Sequence, residues 1–150
     1  MRAVRVGEGE QARQQEPDVG RVAAPQPPAE PVAIYDGDGF ITEGVRSNLF
    51  FVKGNSLCTP PSEKVLLGVT RRHVVQICKE SGTEIREERL HRREIAGIEA
   101  AFLTGTTVDV MPIGSIEAYA LGSASHPVVQ GIVEKYREEV EAYVSRSPLL

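Results

Sequence analysis

A chain of 150 residues, 41% hydrophobic and 25% charged, has the length and make-up of one soluble globular domain. A net charge of -4 gives no electrostatic ground for nucleic acid or an anionic membrane as a partner, and no apolar run approaches the roughly 20 residues a spanning helix needs. The two cysteines, Cys58 and Cys78, have no His or Cys neighbour at zinc spacing, so they read as reduced thiols without chemistry, and no metal site is expected. The start lacks the charged, apolar and small-residue order of a signal peptide, which leaves a cytoplasmic location as the expectation, a plastid or mitochondrion staying open.

Residues 1–30 lack aromatics and any sustained apolar period. They read as a disordered leader, with "APQPPAEP" as a proline-stiffened approach to a folded domain over 31–150. Glu8, Glu10, Glu16 and Asp18 argue against a transit peptide.

From Pro31 the runs "VAIY", "FITEG", "SNLFFVK" and "SLCTP" are short and β-prone, separated by Asp-Gly and Gly-Asn, and together predict an antiparallel meander. In "LLGVTRRHVVQICKESG" the stripe of Val69, Val74, Val75, Ile77 and Cys78, with Gly82 as a stop, predicts a helix from about Thr70 to Glu80. "EIREERL" reads as a strand, "HRREIAGIEA" as a short helix, and "AFLTGTTVDVMPIGSIE" as strands about a glycine turn. "HPVVQGIVEKYREEVEAYV" begins at a proline and carries apolar residues at helical spacing. The mixed order of strands and helices implies an α+β or α/β domain.

Three stretches could carry chemistry. Gly68 before Val69 and Thr70 would let a helix start present its amides to an anion, with the Thr70 hydroxyl and the charge of Arg71 or Arg72 in support, although Gly-Thr ahead of a helix is also an ordinary cap. "TGTT", between two apolar strands, can form a small donor array for a phosphate or carboxylate, or a turn that satisfies only itself. Glu43, ahead of a strand, would on its own be a solvated edge residue. His73, His91 and His126 fit structural or solvated positions.

In order, "DGFITEGVRSNLFFVKGNSLCTPP", "VLLGVTR", "FLTGTTVDVMPIGSI" and "LGSASHPVVQGI" resemble the large C-terminal domain of the class IV aminotransferases, the fold-type IV pyridoxal-phosphate enzymes. The resemblance covers about residues 31 to 145 and implies a mixed β-sheet or pseudo-barrel with flanking helices. It also implies pyridoxal 5'-phosphate as cofactor, a homodimer, and amino-group transfer between a branched-chain or D-amino acid and a 2-oxo acid. An aminodeoxychorismate lyase is the enzymatic alternative. By the same resemblance Glu43 faces the pyridine nitrogen and Leu66 packs on the ring. Gly68, Val69 and Thr70 bind the phosphate, Thr106 adds a contact to it, and the amides near Thr106 and Thr107 face the substrate carboxylate. Asn48 matches the family's Asn and reads as structural.

Family members also carry a lysine ahead of this Glu, which holds the cofactor covalently and shuttles a proton. The matching stretch here is "QARQQEPD", and no lysine precedes Lys53. No catalytic residue is therefore assigned. The expectation for the chain alone is a truncated or inactive form, or a pseudoenzyme acting as a binding or dimerisation module.

Overall fold

The computed structural model describes residues 3–4, 6–8, 33–44 and 46–147. Its strands in chain order are β1 (Ala3–Val4), β2 (Val6–Glu8), β3 (Ala33–Ile34), β4 (Phe40–Ile41), β5 (Asn48–Lys53), β6 (Ser56–Thr59), β7 (Ile85–Glu87), β8 (Leu90–His91), β9 (Ala100–Gly105), β10 (Asp109–Ile116) and β11 (Tyr119–Ala120). Two α-helices, α1 (Val69–Ser81) and α2 (Pro127–Arg146), accompany short 3-10 turns at Ser62–Lys64, Arg92–Gly97 and Ser123–Ser125.

One open sheet of order β11-β10-β9-β5-β6-β7 carries the fold, with β2 also pairing β10; it does not close into a barrel among the described residues. Both faces are covered. In β5, Leu49 and Phe51 join a core with Tyr35, Ile41, Leu90, Ile95 and Leu103, while Phe50 and Val52 join a second core with Val74, Cys78, Phe102, Val129 and Ile132 from the helices and β9. Successive strand residues point to opposite faces, so a strand buried on both reads as the continuous apolar run "NLFFVK". Phe50 and Phe102 stack with centroids 5.0 Å apart beneath the helices.

The helix predicted over Thr70 to Glu80 is α1, and it ends at Gly82 with φ of 71°. The proline-led helix is α2, whose first turn is capped by the His126 side chain accepting from the Val128 amide. The meander needs correction. Tyr35 and Ile41 form an isolated antiparallel bridge and β5–β6 is a hairpin, but β4 pairs with β8 and β6 pairs with β7 in parallel. Parallel pairing requires a crossover, and α1 supplies it. "EIREERL" is two strands, since β7 joins β6 and β8 joins β4. The expectation of a disordered leader falls mostly on residues outside those described; within it, Ala3–Val4 pairs with β3 and Val6–Glu8 with β10. No helix among the described residues is long and apolar enough to cross a membrane.

Candidate functional site

Glu43 lies in the link between β4 and β5, just before a turn in which the Gly44 amide donates to the Ser47 carbonyl at 2.8 Å. Its Oε2 accepts the Leu66 amide at 3.0 Å. Asn48, the first residue of β5 and only 5% exposed, grips the same loop: Nδ2 donates to the Leu66 carbonyl at 2.6 Å and Oδ1 accepts the Gly68 amide at 3.2 Å. With its backbone held on both sides, Leu66 keeps its side chain 81% exposed. Together with Leu67 and Val69 it forms a small exposed apolar patch at a fixed place on the surface.

The start of α1 follows at once. Gly68 is its N-cap, no side chain caps it, and no acid occupies its first turn. Uncapped amides at the positive end of a helix dipole favour an anion. Glycine at 68 is set by crowding, because a Cβ there would stand 2.7 Å from Asn48 Oδ1. Thr70 is buried and Val69 exposed.

A third stretch reaches the same end of the sheet. Thr104 of β9 stands opposite Asn48 of β5, is 1% exposed, and has a buried Oγ1 with no hydrogen-bond partner among the described residues. The next residue, Gly105, packs so tightly on the Glu43-to-β5 link that a Cβ would lie 3.0 Å from the Arg46 carbonyl oxygen. Thr106 and Thr107 follow on the exposed turn into β10. Thus the segments bearing Glu43, Leu66–Thr70 and Thr104–Thr107 meet around Asn48. Of the site residues expected from the sequence, Glu43 and Leu66 are joined directly, and no described hydrogen bond links Thr106 or Thr107 to the helix start. A cavity of about 1330 Å³ lies elsewhere, between β10 and α2, lined by Pro112, Val129 and Tyr136 among others.

Arg71 departs from its expected role. It is 6% exposed and its charge is paired within the fold, Nη2 donating to Glu87 Oε1 at 3.1 Å. Glu87 also accepts the amide and hydroxyl of Ser62, each at 3.3 Å, so Arg71 tethers the first part of the loop that ends in Leu66. Partial burial pushes the Glu87 carboxyl up, but the bonds from Arg71 and Ser62 outweigh it and hold it below its ordinary range. Lys53 pairs with Glu88 at 2.6 Å and Glu94 at 3.6 Å; the Glu88 bond holds its ammonium above its usual range. The histidines are structural: His91 caps the 3-10 turn after it, His126 caps α2, and His73 faces Glu139 at 3.5 Å. Sequence reasoning gave Asn48 a structural role and placed Thr104 in the donor array, but it did not foresee the two bonds of the one or the burial of the other. A polar residue opening an otherwise apolar strand, "NLFFV", and another closing one, "AAFLT", were the available signals.

The family model described as "Amino-transferase class IV" matches residues 22–116, which is more than half of the chain. The chain belongs to the class IV aminotransferase family. Among curated relatives, a probable branched-chain-amino-acid aminotransferase of Rickettsia conorii is 35% identical over 116 residues, covering 74% of this chain and 39% of the relative. A D-alanine aminotransferase of Bacillus licheniformis is 36% identical over 94 residues, covering 62% of this chain and 33% of the relative. The chain therefore spans well under two thirds of the curated relatives it matches. Among solved structures, the branched-chain aminotransferase of the thermophilic archaeon Thermoproteus uzoniensis with norvaline aligns with a TM-score of 0.69 and 31% identity, covering 76% of this chain and 38% of that one. Class IV aminotransferases depend on pyridoxal phosphate, and their mixed α+β architecture is the one described above.

Proposed function

We propose that this chain forms the phosphate- and ring-nitrogen-gripping half of a pyridoxal 5'-phosphate site. The reaction it serves is amino-group transfer between a branched-chain or D-amino acid and a 2-oxo acid. One observation carries the reading: a single loop, bonded to Glu43 on one side and Asn48 on the other, holds Leu66 out as an apolar platform immediately before an uncapped helix start. A flat heteroaromatic ring with a basic nitrogen at one end and a phosphate at the other matches that order of carboxylate, apolar surface and anion-binding amides.

The donor set fits the group. Glu43 uses Oε2 for Leu66, and a carboxylate has capacity for a second partner, so the same side chain would hold a protonated ring nitrogen. Leu66 would pack on the ring. Gly68, Val69 and Thr70 would offer amides and a hydroxyl to the phosphate, with Thr106 as a further donor. The amides near Thr106 and Thr107 would receive the substrate carboxylate. The buried, unpartnered Thr104 hydroxyl lies behind them as a polar group in search of a bond. When bound, the cofactor supplies the electron sink for loss of the substrate's α-proton.

That proton needs a base at the cup, and the chain's lysines are poorly suited. Lys53 is engaged by two glutamates, and Lys64, Lys79 and Lys135 are solvent-exposed. A lysine becomes a nucleophile and base through burial or a neighbouring cation, whereas Lys53 faces two carboxylates and the other three lie in solvent. The chain by itself is accordingly read as a binding form without turnover, and the exposed Leu67 and Val69 beside the cup support a homodimeric assembly across that face.

The test titrates the 150-residue chain with pyridoxal 5'-phosphate, then adds borohydride and separately amino acid with 2-oxo acid. Saturable binding that inorganic phosphate competes for, without a stoichiometric lysine adduct and without turnover, is expected. One uniquely labelled lysine with formation of a new 2-oxo acid would refute the non-catalytic reading; absence of saturable binding would refute the site itself.

A further inference from the structure

The described side-chain hydrogen bonds of Asn48 reach neither Glu43 nor the α1 amides beyond Gly68, yet the geometry around it is more specific than a packing role requires. Its two amide atoms bond the carbonyl of Leu66 and the amide of Gly68, so one planar group bridges the two ends of a single residue, Leu67. Few side chains can do this. Aspartate has no donor for the carbonyl, leucine has neither group, and glutamine carries one more methylene than the site allows. The bridge is also rigid, since Asn48 is 5% exposed and any displacement of its side-chain amide would break both bonds together.

We propose that Asn48 is a positioning residue that fixes the spacing between the Leu66 platform and the anion-binding start of α1, matching it to the distance between a ring and its own phosphate. This rests on the cofactor reading above and adds a residue to it. Leu66 belongs to the surface meant for the ring, and Gly68 is the N-cap of the helix meant for the phosphate. Both are tied to β5 by one side chain, so neither can shift along the other. Glycine at 68 follows from the same contact. Its φ of -69° suits any residue, and it is the 2.7 Å approach of Asn48 Oδ1 to a would-be Cβ that excludes a side chain. The pair therefore acts as a unit: Gly68 lets Asn48 in, and Asn48 locks Gly68.

The experiment has two arms on the 150-residue chain. The first is free of ligand. Melting temperatures of Gly68→Ala, Asn48→Ala and the double variant should be non-additive, with the alanine at 68 tolerated much better once the Asn48 side chain is gone. Strictly additive losses would overturn the clamp. The second arm measures dissociation constants of Asn48→Asp for pyridoxamine 5'-phosphate and for inorganic phosphate by equilibrium dialysis. The new charge weakens both ligands through the phosphate and cancels in their ratio, whereas lost spacing penalises only the ligand that must seat ring and phosphate together. The affinity gained from the ring should fall about 10-fold. The same ratio is read on Asn48→Ala if the aspartate variant does not fold. An equal loss for both ligands reduces Asn48 to a structural residue and overturns the proposal. Non-additivity in the first arm, with a wild-type chain that prefers pyridoxamine 5'-phosphate no more than phosphate, overturns the cofactor reading itself.

Discussion

Glu43→Gln separates the charge of this side chain from its shape. The bond that the structure gives Glu43 is to the Leu66 amide at 3.0 Å, and a glutamine carbonyl oxygen accepts it equally well. Loop and fold should hardly respond, with a stability change within about 0.5 kcal/mol. A protonated ring nitrogen would feel the substitution differently. Its bond to a carboxylate is charge-assisted, about 1.5–3 kcal/mol, against about 0.5–1.5 for the one glutamine oxygen, which must serve both the Leu66 amide and the ring because the NH2 cannot accept. Glu43 is half-buried, so solvent screening puts the difference at the lower end, about 1 kcal/mol. The expected weakening is about fivefold in the dissociation constant for pyridoxamine 5'-phosphate, with affinity for inorganic phosphate unchanged. Equilibrium dialysis near neutral pH, paired with thermal melts of both proteins, reads both quantities. Equal affinities for pyridoxamine 5'-phosphate would refute the reasoning and return Glu43 to the role of a loop anchor. A large drop in melting temperature would refute it from the other side, by showing that the charge serves the fold.

Thr104→Val replaces a buried, unpartnered hydroxyl by a methyl of similar size and should stabilise the ligand-free chain by about 1 kcal/mol, seen as a higher denaturation midpoint. Gly82→Ala meets no neighbouring atom but forces a side chain into φ of 71°, so urea unfolding should register a loss of about 1 kcal/mol with no change in ligand affinity. Burial pushes both thiols, Cys58 and Cys78, up to about 11, with Glu88 adding to the effect at Cys58. Neither should be alkylated by iodoacetamide at about pH 8 in the folded protein and both should react in denaturant, as mass spectrometry will report. The carboxyls of Asp36, Glu84, Glu87 and Glu94 are all held below their ordinary range by hydrogen bonds and cations. A carboxyl depressed in the folded state contributes stability above its unfolded value, so melting temperature should be level near neutral pH and fall as pH drops below about 4.5. Stability that rises on acidification through that range would contradict this.

How far the sequence spoke depended on whether the relevant information was periodic. Val74, Ile77 and Cys78 repeat on one face, and Gly82 can take the left-handed backbone that ends a helix, so α1 was legible to within a residue at each end. Strands β5 and β9 were legible as apolar runs because both their faces are covered. Partner choice was not. A two-residue strand such as Phe40–Ile41 has no alternation with which to specify a neighbour, and it joins Leu90–His91 from the far side of α1 because Ile41 and Leu90 share one core. The split of "EIREERL" was hidden for the same reason. At the site, motif order pointed to Glu43, Leu66 and the start of α1, whereas the turning of Arg71 toward Glu87 and the two bonds of Asn48 are contacts across 16 to 20 positions that no local pattern encodes.

The seam between β5 and β9 is the place where this geometry has its largest consequence for folding. Asn48 and Thr104 face each other there, although more than a third of the chain separates them, and the cup is built across the join. Closing so long a loop costs entropy before any contact rewards it. The β5–β6 hairpin and α1 can form locally, but the cup exists only after β9 has docked. An opening able to dismantle it must pull apart the middle of the sheet, where Phe50 and Phe102 stack. The Gly68 amide, held by the buried Asn48 of β5, should exchange with solvent deuterium more slowly than the Leu66 amide, whose bond to Glu43 is exposed, and any ligand seated on the cup would slow the unfolding of the whole domain.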